Sequence, residues 1–186
     1  AARRLAFDEM LILQLGMLML KERSKKSTPC VMDSSTDISD FFESLPFEMT
    51  GAQKRCVDEL CADLCSGSPM NRLLQGDVGS GKTAVAAACC CFAHKNGYQS
   101  ALMAPTEILA VQHYKTLSGF LEPLGIKTVL LTGSLTAKEK REVKKMLAGG
   151  EATVAVGTHA IIQKDVGFAS LGLVITDEQH RFGVGQ

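Results

Sequence analysis

The sequence lacks an excess of charge of either sign: 20 Lys and Arg stand against 20 Asp and Glu in 186 residues. Net charge therefore gives no argument for nucleic acid, and any such contact has to come from local groups. It also lacks a C-x-x-C pair and any His at ligand spacing, although it holds seven cysteines. Cys56, Cys61 and Cys65 fall in a stretch that reads as helix. Cys89, Cys90 and Cys91 are adjacent, as small buried residues in a packed helix can be. His94, His113 and His159 have no neighbour in sequence that suggests a metal. The expectation is free structural thiols in a reducing cytosol. No apolar run reaches the ~20 residues that span a bilayer. The longest, "MLILQLGMLML" from Met10 to Leu20, is interrupted by Gln14 and has no cleavage site placed for a signal peptide. It reads as a buried helix. There is no initiator Met, no internal repeat, and little sequence after His180. A fragment of something longer is expected.

What is present is an alternation. Residues 3–23 read as a helix, and 24–46, rich in Ser, Thr, Asp and Pro, as a flexible linker or surface loop. From residue 47 onward, strand-like apolar runs at 71–77, 100–106, 127–133, 152–158 and 171–177 alternate with helices. The helices are expected at 51–65, 82–95, 107–121 and 136–147, the last with Thr136 as N-cap and Glu139 three positions on. Such alternation predicts an α/β domain with a largely parallel sheet covered by helices on both faces.

The strongest local signal is "GDVGSGKT", Gly76 to Thr83, which fits G-x-x-x-x-G-K-[ST] between an expected strand and a helix. Gly79 and Gly81 permit backbone conformations that a Cβ would block. Successive N–H groups can then turn inward on an anion, with the helix N-terminus aimed at the same phosphates. Lys82 adds a point charge for the β- and γ-phosphates, and Thr83 a hydroxyl for Mg²⁺. Gly76 and Ser80 complete the loop. The chemistry implied is binding of ATP with Mg²⁺.

A second signal is "LVITDE". An apolar strand that ends in Asp177 delivers a carboxylate to the carboxyl edge of the sheet, where ligands of α/β sheets bind. Mg²⁺ prefers carboxylate and water oxygens, which suits Asp177. Glu178 beside it is the candidate to activate or position the attacking water. Lys82, Asp177 and Glu178 form the candidate catalytic set.

A phosphate loop alone does not say what ATP is used for. The smaller blocks discriminate. "DEQH" at 177–180, "APTEILAVQH" at 104–113, "LTGS" at 131–134, "GTHAII" at 157–162 and "MTGAQKR" at 49–55 resemble, in order, the boxes of superfamily 2 helicases. Read with "MNRLLQGDVGSGKT" and "DEQHRFGV", they look like the RecG family of bacterial branch-migration helicases. The resemblance implies a RecA-like P-loop domain over 47–186, truncated after the DEQH box and preceded by a linker helix at 1–23. It implies that Gln53 reads adenine, that Gln179 and His180 couple nucleotide state to DNA, and that Pro105, Thr106, Gly133, Gly157 and Thr158 lie near the DNA backbone. Hydroxyls and backbone amides bind phosphates without a basic patch.

The same resemblance implies branched DNA as partner, meaning replication forks and four-way junctions. It also implies a second RecA-like domain supplying arginine fingers, no membrane, a monomeric parent and a bacterial cytoplasmic setting. Such a finger is worth ~10³–10⁵ in rate, so this chain alone is expected to bind ATP weakly and hydrolyse it poorly. Val111, Thr176 and the Cys89–Cys91 run depart from the family's usual residues without touching a catalytic role. A transcription-repair coupling translocase, whose motor is similar, and a non-hydrolysing ATP-binding module are the alternatives. Gln179 and Ser80 favour the branch-migration reading.

Overall fold

The computed structural model describes residues 10–12, 14–16, 30–77 and 79–177. Its helices are α1 (Ser39–Ser44), α2 (Gly51–Leu64), α3 (Lys82–Lys95), α4 (Glu107–Leu121) and α5 (Ala137–Ala148). Its strands are β1 (Gln99–Met103), β2 (Thr128–Leu131), β3 (Val154–Gly157) and β4 (Leu171–Thr176). All pairings are parallel, in the order β2-β3-β1-β4. Met103 and Leu131 both pair with Gly157, and Met103 also pairs with Thr176, so the four strands end level with one another.

Two cores follow from this layering. On one face α1–α4 pack with Leu102, Val154, Val156 and Leu173. On the other, Leu147 of α5 packs with Val129, Leu131, Ala155 and Ile161. The expected α/β sandwich with helices on both faces is therefore the observed one. Helix α3 is apolar on every side, with Ala84, Val85 and all residues from Ala87 to Ala93 buried. Small thiols at 89–91 suit a helix enclosed by the sheet, α2 and α4. Burial pushes the Cys90 thiol up to about 12 and Cys91 up to about 11. No disulfide is formed among the described cysteines.

Gln99 is a buried amide with every polar atom used. Its Nε2 donates to Leu147 O and Ala152 O, and its Oε1 accepts from Ser170 N. A buried amide left unmatched would be costly, so this side chain fixes the start of β1 against the turns that follow α5 and precede β4.

Three expectations are corrected. Residues 71–77 form no strand. A strand needs a ladder partner, and no described strand lies on the side of β4 away from β1. Leu73 is consequently 88% exposed and Val174 of β4 60% exposed. The described part of the 24–46 segment is packed rather than flexible. It contains α1, and Met32, Ile38, Phe41 and Leu45 enter the core. Lys95 Nζ at the end of α3 holds it through Asp37 O at 2.7 Å and Asp40 Oδ1 at 2.6 Å. Composition suggested a linker because polar residues outnumber these apolar ones, but each apolar side chain finds the surface of α2, α3 or α4. Finally, residues 10–12 and 14–16 are helical but exposed, Ile12 by 70%. The described part of the run from Met10 to Leu20 is therefore not buried as its composition suggested, and the rest of that run lies outside the described residues. Among the described residues no helix is long and apolar enough to cross a membrane.

Candidate functional site

The phosphate loop is built by its two left-handed glycines. Gly79 has φ 83° and Gly81 φ 80°, a region in which a Cβ is penalised. Gly81 is the N-cap of α3, and its carbonyl accepts from Ala84 N and Val85 N. Lys82 folds back over the loop and donates from Nζ to Gly76 O at 2.7 Å and Asp77 O at 2.8 Å. Its ammonium is thus held above the loop by carbonyls of the loop itself. Val78 lies outside the described residues.

Gln53 sits directly against this loop. Thr50 and Gln53 form a capping box at the start of α2. With Oε1 accepting from Thr50 N at 2.7 Å, the amide's Nε2 is free to donate to Ser80 O at 2.8 Å. One side chain therefore caps α2 and grips the phosphate loop. A Cβ at Gly81 would stand 2.3 Å from that Nε2, so a side chain there would push the amide off the loop.

Topology brings the loop to the carboxyl edge. Helix α3 ends at Lys95, just before β1 begins at Gln99, so its far end lies at the amino edge of the sheet. Its 14 residues span about 21 Å at 1.5 Å each, about the length of a strand of 5–6 residues. Packed antiparallel to the strands, α3 starts at the carboxyl edge. Asp177 is there too: it follows β4, and its N–H donates to Met103 O at 2.9 Å. Pro105 and Thr106 follow β1, Gly133 follows β2, and Gly157 and Thr158 end and follow β3. Because the strands are parallel and level, all of these residues share one edge.

The edge loops are tied to one another. Thr106 Oγ1 caps α4 by accepting from Leu109 N. Glu107 Oε1 accepts from Ser134 N at 2.8 Å, and that amide holds the carboxyl below its usual range. Lys140 Nζ donates to Gly133 O at 2.6 Å. Gly157 has a backbone reason to be glycine, since a Cβ there would lie 1.9 Å from Leu131 O. Sequence reasoning missed Glu107 as a link between loops, although it stands one residue after the N-cap. It also missed His113, whose Nε2 lies 2.8 Å from Asp177 Oδ2. The two are 64 residues apart, and nothing local to either marks the pair. Glu178, Gln179 and His180 lie outside the described residues. No group of three or more metal-binding side chains occurs among the described residues.

Residues 50–186 match the DEAD/DEAH box helicase family. Among curated proteins, the chain is 50% identical to the ATP-dependent DNA helicase RecG of Aquifex aeolicus, over 99% of this chain and 23% of that protein. It is 48% identical to RecG of Bacillus subtilis, over all of this chain and 28% of that one. The chain thus spans about a quarter of the length of these relatives. Among solved structures, RecG bound to a three-way DNA junction superposes with TM-score 0.84 at 44% identity, over 97% of this chain and 25% of that one. A hypothetical ATP-dependent RNA helicase from Sulfolobus tokodaii shares the fold, with TM-score 0.58 at 20% identity over 76% of this chain and 40% of that one.

Proposed function

The chain belongs to the DEAD/DEAH box helicase family, and from that premise we propose that it is the nucleotide-binding half of an ATP-dependent motor acting on branched DNA. The observation that carries this is convergence. The phosphate loop, Asp177 and the three loops proposed to meet DNA all stand on the carboxyl edge of one parallel sheet.

The site fits ATP with Mg²⁺. The left-handed glycines and the head of α3 make an anion nest. Among the described residues only loop carbonyls meet the charge of Lys82, and a γ-phosphate would be the better partner. Thr83 and Asp177 are the oxygen donors that would hold Mg²⁺, which supplies neutralisation of the phosphate charge. Gln53, already against the loop, reads adenine, and Glu178 activates water. Gln179 and His180 couple that state to DNA and to a second RecA-like domain. Pro105, Thr106, Gly133, Gly157 and Thr158 present backbone and hydroxyl groups to DNA phosphates. The substrates are replication forks and four-way junctions, the process is branch migration in repair, and the setting is the bacterial cytoplasm. The RecG relatives and the junction-bound RecG structure support this reading.

The test is ATPase activity of the full open reading frame that encodes this chain, with and without four-way-junction DNA, beside Lys82→Ala and Glu178→Gln. Junction-stimulated hydrolysis that both substitutions abolish is expected. Hydrolysis indifferent to DNA contradicts the helicase reading.

A further inference from the structure

Asp177 reaches the site with one of its two oxygens already engaged. His113 projects from the second turn of α4, and its Nε2 stands 2.8 Å from Asp177 Oδ2. A carboxylate only accepts, so Nε2 carries the proton of this bond. Both side chains are mostly covered, 18% exposed for His113 and 30% for Asp177, which places the bond in a partly dry setting where hydrogen bonds orient strongly. The carboxylate's backbone is fixed as well, through Asp177 N to Met103 O. Asp177 is thus pinned at its amide and at Oδ2, and among the described residues Oδ1 is the oxygen left for a ligand.

We propose that His113 is a positioning residue for the cation end of the nucleotide site, holding Asp177 by Oδ2 so that the carboxylate presents its other oxygen to Mg²⁺. This rests on the reading of Asp177 as a Mg²⁺ ligand. Carboxylates that hold metals are themselves oriented by a further hydrogen bond, and removing such a partner costs about 10–100-fold in metal affinity or activity. The pair has a second consequence. Helix α4 begins at the Thr106 cap and carries Glu107, which holds Ser134 N. Two turns later the same helix holds Asp177. One rigid element therefore joins the loops proposed to face DNA to the carboxylate proposed to face Mg²⁺.

The test is binding of a fluorescent ATP analogue to the 186-residue chain, with and without Mg²⁺, for the wild type, His113→Ala, His113→Gln and Lys82→Ala. The quantity read is the ratio of affinities with and without Mg²⁺. His113→Ala is expected to lower that ratio about tenfold or more, and His113→Gln, which keeps an N–H donor, to restore part of it. A merely structural anchor would lower the melting temperature and leave the ratio alone, and that result overturns the proposal. Lys82→Ala separates the two layers: if it too binds like the wild type, the nucleotide site itself is wrong. Should His113→Ala fail to fold, side-chain nitrogen NMR of the wild type against Asp177→Asn decides. The His113 signals are expected to show a protonated Nε2 and to move in Asp177→Asn, and signals unmoved by that substitution overturn the proposal.

Discussion

Replacing Gly81 with alanine perturbs two interactions that meet at the head of the phosphate loop. Gly81 has φ 80° and ψ 22°, and a residue with a Cβ in this left-handed region is worse by about 1–2 kcal/mol. The new Cβ would lie 2.3 Å from Gln53 Nε2, so the amide must swing away. Its bond to Ser80 O at 2.8 Å is then lost, a net of about 0.5–1.5 kcal/mol. The sum is roughly 1.5–3.5 kcal/mol. At roughly 2–4 °C per kcal/mol for a chain of this size, the melting temperature should fall by roughly 3–14 °C. Urea unfolding in a double-mutant cycle with Gln53→Ala separates the two parts. Gln53→Ala has already removed the amide, so Gly81→Ala in that background should cost only the backbone part. The coupling should be about 1 kcal/mol, well outside the ~0.3–0.5 kcal/mol scatter of independent sites. Strict additivity would refute the contact between capping glutamine and phosphate loop.

Phe41→Ala should destabilise by about 3–5 kcal/mol in urea unfolding, because Phe41 is fully buried; a cost under 1 kcal/mol would restore the flexible-linker reading of residues 30–46. Thr136→Ala removes one half of the capping box of α5 and should cost about 1 kcal/mol by the same assay. The Glu139 carboxyl is held below its usual range, first by the Thr136 hydroxyl, and that of Glu107 first by the Ser134 amide. A lowered folded pKa means that their contribution is complete above the unfolded carboxylate value of about 4.3 and is lost as pH falls through the folded value. Thermal melts should therefore weaken below about pH 4.5, with no change from these groups between about pH 6 and 8. Cys90, pushed up to about 12 and fully buried, should resist iodoacetamide at pH 8 in the native chain and react after denaturation, as mass spectrometry would show.

The elements most legible in the sequence were those whose signals are local. The helix 82–95 was readable from the phosphate loop that opens it, and 107–121 from its place between two strand-like runs. Helix α5 was readable from Thr136 and Glu139, whose capping box the structure contains. The three parallel strands β1–β3 came out within a few residues of their observed ends because each is a continuous apolar run between turns. What failed depends on partners distant in sequence. The apolar character of 71–77 is real, but a strand exists only where another pairs with it. The segment from residue 30 to 46 is polar by count, yet Phe41 and Ile38 decide its fate by packing on helices far along the chain. The candidate site divides in the same way. Gly79, Gly81 and Lys82 announce themselves through spacing, whereas His113 and Asp177 meet only through the sheet.

The most direct measurement is calorimetric binding of Mg·ATP to the 186-residue chain beside Lys82→Ala. Loss of a hydrogen-bonded charge is worth about 1.5–3 kcal/mol, so the substitution should weaken binding about 10- to 100-fold. Measurable binding by the wild type and a loss of that size in Lys82→Ala are the predicted result. Equal affinity in the two proteins would mean that the phosphate loop is not where ATP is held, and would contradict the account.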